Sequence, residues 1–160
     1  MVQINHGSRS ANITASYASG AILEWLLPSE AKVAMMIRVV VADDSLEYRE
    51  ALAAVIDGVR GLSLVGVARD GTELIALCDA KTPAICLTDV RMPTLDGLEA
   101  LEVLRARHPT MLLVAFSSYD ASTVGAQALA AGAHMFFTKD ETFRATARLE
   151  TIYQQVFGSD

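Results

Sequence analysis

The sequence predicts a doubly wound α/β domain, with a five-stranded parallel sheet covered on both faces by five helices. Three observations predict it. From Ile37 onward, short apolar runs alternate with amphipathic stretches, a pattern that gives parallel strands joined by right-handed helical crossovers. One run, Ala84 to Leu87, is apolar without a break, as a strand buried on both faces requires. Acidic, hydroxyl and amine side chains then stand where the runs stop, at the rim where open α/β sheets bind ligands.

Each element has its own signal. Ile37 to Ala42 is β-branched and ends at Asp43-Asp44. Ser45 can cap the helix from Leu46 to about Gly58, but Tyr48 replaces the Glu that a full capping box needs. Leu52, Val55 and Ile56 share one face of that helix. Leu62 to Ala68 is the second strand, and Asp70-Gly71-Thr72 turns into a helix over Glu73 to Ala80. Ala84 to Thr88 is the third strand. Pro93 stops it, and Asp96 caps a helix from Leu98 to His108 with Leu98, Leu101 and Leu104 on one side. Met111 to Phe116 is the fourth strand, followed by an Ala-rich helix from Ala121 to Ala131 that contains Gly125. His134 to Thr138 is the fifth strand. The last helix, Glu141 to Phe157, carries Leu149, Ile152, Tyr153 and Val156 at helical spacing, with Asp140 as its cap.

Composition bounds the function. The 160 residues, 52% of them apolar, suffice for one domain with an appendage. A net charge of -6 with scattered Lys and Arg argues against a nucleic-acid surface on this chain. Cys78 and Cys86 lack metal-ligand spacing and read as buried reduced thiols, which fits a cytoplasmic protein. No apolar run is long enough to cross a bilayer, and no signal-peptide pattern is present. Residues 1–36 differ from the rest. Their first twenty are rich in Ser, Asn, Ala and Gly and read as disordered, and the run from Ala21 to Leu27 can form a short helix that Pro28 interrupts. Either Trp25, Leu26 and Leu27 dock on the domain or a partner, or the native start lies at Met35 or Met36. The domain itself is expected over residues 37–158.

The polar residues at the strand ends form one constellation. Asp43 and Asp44 end the first strand and Asp89 the third, while Ser117 and Lys139 follow the fourth and fifth. Three carboxylates at one rim repel, so at least one pKa should rise unless a cation is present. Oxygen ligands alone select a hard cation, and Mg²⁺ fits. A carboxylate can attack phosphorus to give an acyl phosphate, with a lysine ammonium steadying the transferred oxygens. Lys139 suits that role, and Ser117 Oγ suits a hydrogen-bond donor to one oxygen.

Asp43-Asp44, Asp89 with Met92-Pro93 and Asp96-Gly97, Ser117 and Lys139, in this order and spacing, resemble the receiver domain of two-component response regulators. The resemblance spans about residues 37 to 158. It implies a flavodoxin-like sheet of order 2-1-3-4-5 and Asp89 as phosphoacceptor. It further implies Mg²⁺ held by Asp44, Asp89 and the backbone carbonyl of Arg91, with Asp43 assisting. The phosphoryl group would come from a phosphohistidine on a sensor histidine kinase or phosphotransfer protein, in a transfer that the domain catalyses on itself without turnover as an enzyme. Ser117 and Phe136 match the switch residues, through which phosphorylation would reshape the surface of helix four, strand five and helix five. Asp140 stands where many receivers have Pro, as in receivers that carry helix-turn-helix output domains, so transcription control by a separate or missing domain is implied. Homodimerisation on phosphorylation is common in the family, and Arg91 and Tyr119 flank the pocket where phosphoryl lifetime is tuned. No membrane partner is expected.

Three other classes remain to be weighed. A haloacid-dehalogenase-type phosphatase needs Asp-x-Asp after the first strand, whereas Asp43 and Asp44 are adjacent. A binding module that keeps this fold without phosphorylation is opposed by the complete acidic set. A flavodoxin would need a Ser/Thr/Gly-rich phosphate loop after the first strand, which is missing.

Overall fold

The structure, a computed structural model, describes Pro28, residues 36–118 and residues 121–158. Trp25, Leu26, Leu27 and Tyr119 lie outside the described residues, as does nearly all of the stretch before Met36. The fold below is that of the unit beginning at Met36.

Five parallel strands form one sheet in the order β2-β1-β3-β4-β5. They are β1 (Ile37–Ala42), β2 (Leu62–Ala68), β3 (Ile85–Asp89), β4 (Leu112–Ser117) and β5 (Met135–Thr138). Between them run α1 (Leu46–Asp57), α2 (Gly71–Lys81), α3 (Gly97–Arg107) and α4 (Ala121–Ala131). After β5 come α5 (Lys139–Ala145), a 3₁₀ turn (Thr146–Arg148) and α6 (Leu149–Phe157).

Strand side chains alternate between faces, so a strand covered on both sides must be apolar throughout. Val40, Ala42, Cys86, Leu113 and Ala115 pack on one side with Leu74 of α2, Leu101 and Leu104 of α3, and Ala128 of α4. Val39, Val41, Ile85, Leu87, Val114 and Phe116 pack on the other with Leu52 and Ile56 of α1 and Leu149 and Ile152 of α6. Both cysteines are buried free thiols in the first of these layers. β1 and β2 slip register once, between Val39 and Val40, where Val65 is passed over.

Local expectations fail in four places. Val55 and Val156 share the apolar spacing of α1 and α6 but are exposed, because each helix meets the sheet through a narrower stripe. α2 begins at Gly71, since Asp70 accepts a hydrogen bond from Glu73 N and is the cap itself. Asp140 does not cap the last helix. Thr138 does, in a full capping box with Glu141, so Lys139 becomes the first helical residue. That helix is also interrupted. Thr146 Oγ1 donates to the Phe143 carbonyl three residues back, at 2.7 Å, and the chain tightens there into a 3₁₀ turn before α6.

Candidate functional site

The C-terminal ends of β1, β3, β4 and β5 meet at one rim, and the backbone places each functional group there. Asp43 continues β1, its N–H bonded to the Ala68 carbonyl at 3.1 Å, and its Oδ1 accepts from Ser45 N at 2.7 Å. Arg49 donates to the Asp43 carbonyl at 2.7 Å, tying α1 to the same corner. Asp89 is the last residue of β3, with Phe116 of β4 beside it in register. Its Oδ1 accepts from Arg91 N at 3.1 Å. The following loop passes through Thr94 at φ 69° and returns so that Gly97 N meets the Val90 carbonyl at 2.8 Å. Asp96 then caps α3 through Glu99 N at 3.0 Å. Ser117, 1% exposed, ends β4 beside Thr138 of β5.

The predicted carboxylates do come together. Asp43, Asp44 and Asp89 each bring one oxygen within 4.8 Å of the others. Asp43 is fully buried, Asp89 is 5% exposed and Asp44 faces solvent. Lys139 Nζ enters from the first residue of α5, directly after β5, and stands 2.8 Å from Asp43 Oδ2 and 3.3 Å from Asp89 Oδ2. One ammonium against three carboxylates leaves the rim electrically unbalanced.

The titration behaviour follows. Asp89 is pushed up to about 6, first by burial and then by the charge of Asp43, while the Arg91 N–H and Lys139 pull the other way. The expected rise therefore occurs, but desolvation outranks repulsion between carboxylates as its cause. Burial alone would lower the Lys139 pKa, yet the hydrogen bond to Asp43 and the charges of Asp89 and Asp43 hold it above its ordinary value.

The residues fit a hard divalent cation. The donors are all carboxylate oxygens, the class that Mg²⁺ and Ca²⁺ select. Asp43 Oδ2 is buried without a well-formed hydrogen bond, although the Lys139 ion pair reaches it. One oxygen from each of the three carboxylates lies within 4.8 Å of the others, so these residues could hold such a cation, which would offset their mutual repulsion. Arg91 lies on the loop directly after β3, two residues beyond Asp89.

Two neighbours of the site carried no sequence signal of their own. Tyr48 of α1 places its ring centroid 4.4 Å from Lys139 Nζ and donates from its hydroxyl to the Lys139 carbonyl at 2.8 Å. The sequence marks it only as the residue standing where a full capping box needs Glu. Arg49 is the other, and its bond to a backbone carbonyl has no motif to announce it.

Comparison with known proteins agrees with the geometry. A family model described as the response regulator receiver domain matches residues 39–149. A Bacillus subtilis protein, named as an uncharacterized transcriptional regulatory protein YxjL, is 32% identical over 127 residues, covering 75% of this chain and 58% of that one. The chain thus spans a little over half of that relative's length. Among solved structures, the signal receiver domain of Mycobacterium tuberculosis NarL superposes with a TM-score of 0.69 at 29% identity, over 75% of this chain and 97% of that one. The response regulator domain of Thermotoga maritima CheB gives 0.67 at 31% identity, over 78% and 98%.

Proposed function

This chain belongs to the response-regulator receiver-domain family, and on that footing we propose that it is a phosphoacceptor switch in which Asp89 takes a phosphoryl group from a histidine. The observation that carries the reading is a single juxtaposition. Asp89, nearly buried, shares its pocket with two more carboxylates and with an ammonium 3.3 Å away.

The chemistry assigns each group a task. An Asp89 carboxylate oxygen attacks phosphorus and forms the new O–P bond. The P–N bond of the phosphohistidine breaks, and its electron pair stays on the ring nitrogen. The donor leaves as neutral imidazole when its other nitrogen carries a proton. Lys139 meets the negative charge that spreads over the phosphoryl oxygens, and Ser117 Oγ donates to one of them. Asp43, Asp44, Asp89 and the Arg91 carbonyl would hold Mg²⁺, which when bound supplies charge compensation and Lewis acidity at those oxygens. One chain takes one phosphoryl group, so the domain is a self-phosphorylating signalling module rather than a turnover enzyme.

The added charge of about -1.5 to -2 then gives the switch its drive. Ser117 moves toward the phosphate and Phe136 follows, altering the face made by α4, β5 and α5. A sensor histidine kinase or phosphotransfer protein is the donor, the compartment is cytoplasmic, and the altered face serves homodimerisation or an output domain acting in transcription. Among the described residues no helix is long and apolar enough to cross a membrane.

The test is incubation with acetyl phosphate and Mg²⁺, read by intact mass. The expected result is a gain of one phosphoryl group that disappears in Asp89→Asn and on chelation of the metal. No gain with any small phosphodonor would favour a receiver fold that switches by protein contact alone, and steady hydrolysis of phosphomonoesters would favour a phosphatase.

A further inference from the structure

Lys139 is long and flexible, and two carboxylates compete for it. The ammonium of such a side chain is a mobile point charge. It sits nearer to Asp43, at 2.8 Å, than to Asp89, at 3.3 Å. Transfer to Asp89 needs it on the second carboxylate at the moment the phosphoryl group arrives.

Tyr48 touches that lysine at both ends. Its hydroxyl donates to the Lys139 carbonyl at 2.8 Å, which fixes the backbone from which the side chain departs. Its ring lies 4.4 Å from Nζ and offers the ammonium an aromatic face. The ring is itself fixed, packing on Phe116 of β4 at 5.3 Å and on Phe143 of α5 at 5.2 Å between centroids. Burial pushes the phenol above its already alkaline ordinary pKa, so its O–H remains a donor throughout the working range.

We propose that Tyr48 is a positioning residue that aims the Lys139 ammonium at the phosphoryl group entering on Asp89. The aromatic face flanks the ammonium, and the carbonyl bond sets the start of its stem. The inference rests on the phosphoacceptor reading above. A purely structural Tyr48 would cement α1 to α5 without acting through Lys139, and the two roles separate in a double-mutant cycle.

The experiment uses the full chain with acetyl phosphate and Mg²⁺, following initial labelling rates by mass over a range of donor concentrations. Tyr48→Leu and Tyr48→Phe are each made with Lys139 intact and in a Lys139→Ala background. With Lys139 present, Tyr48→Leu is expected to lower the maximal rate about tenfold, leaving the half-saturating donor concentration unchanged. Tyr48→Phe, which keeps the ring and loses the carbonyl bond, is expected to lose about threefold. In the Lys139→Ala background neither should change the rate further. Effects that multiply across the two positions would overturn the proposal, as would a Tyr48→Leu rate indistinguishable from wild type. Should Tyr48→Leu fail to fold, the Tyr48→Phe pair decides alone by the same comparison. A wild-type chain that takes up no phosphoryl group would instead fail the phosphoacceptor reading itself, and the proposal with it.

Discussion

Asp89 is held in a state that costs the fold stability. Its pKa of about 6 exceeds the ordinary 3.8, so the native state prefers the protonated carboxyl more than the unfolded chain does. A carboxyl raised in this way imposes no penalty below about pH 4. Its penalty grows between about pH 4 and 6 and is complete above that. The shift corresponds to at most about 3 kcal/mol, and water reaching the rim reduces it. Asp89→Asn should therefore raise the thermal midpoint at pH 7 in metal-free buffer, with the gain over wild type vanishing toward pH 4. Thermal melts of both proteins across that range check it, and a variant equally or less stable at pH 7 contradicts the argument. The charged site residues were legible at this scale because a carboxylate or amine ending an apolar strand has few structural excuses. Tyr48 was not legible, because an aromatic on a helix face is ordinary core and only the packing reveals a cation beside it.

At the level of elements, the site depends on how tightly α3 is drawn against the end of β3. Gly97, the first residue of α3, donates to the Val90 carbonyl at 2.8 Å. A Cβ at Gly97 would overlap the Asp89 carbonyl oxygen and stand 2.8 Å from Val90 Cα. Those are backbone atoms, which cannot swing away. Gly97→Ala should therefore either destabilise the fold by about 2 kcal/mol or more or push the β3 end outward. The expected outcome is a lowered denaturation midpoint with slower phosphoryl uptake on Asp89, and an unchanged midpoint with unchanged uptake would refute it. The sequence suggested Asp96 as a cap but not this close approach, since a glycine after an Asp also suits a simple turn. Element boundaries were misread where caps compete. Asp140 and Thr138 both offer an oxygen to a helix start, and Thr138 prevails because Glu141 can reciprocate from the third helical position. That choice sets Lys139 at the very beginning of α5, where its backbone is ordered by the helix and its side chain remains free to reach the rim.

Across the whole molecule, the fold was readable because strands and helices repeat different patterns. The central strands β1, β3 and β4 are largely buried on both sides, the edge strands β2 and β5 are only partly covered, and each helix is apolar on one face, so period and length separate the two kinds of element. What the pattern does not carry is contact between elements distant in sequence, and one such contact bears on the proposed switch. A Cβ at Gly125 of α4 would stand 3.1 Å from Phe136 Cδ1 of β5, so an alanine there would press on the ring in its present seat, half-buried against α4. If phosphorylation at the rim moves Phe136 from that seat, linkage requires the reverse: whatever disfavours the seat favours the phosphorylated state by the same factor. Gly125→Ala disfavours it by crowding the ring. It also removes a mid-helix glycine, which strengthens α4 by roughly 0.5–1 kcal/mol. The two effects separate by measurement. Helix strengthening raises the thermal midpoint, whereas linkage raises the fraction of chain phosphorylated at a fixed, subsaturating acetyl phosphate concentration. Gly125→Ala should show a higher steady-state fraction than wild type, and Phe136→Ala, with no ring to crowd, should cancel that difference. A higher midpoint with an unchanged fraction would mean that the Phe136 seat is not coupled to Asp89, and that the altered face of α4 and β5 is driven from elsewhere on the rim.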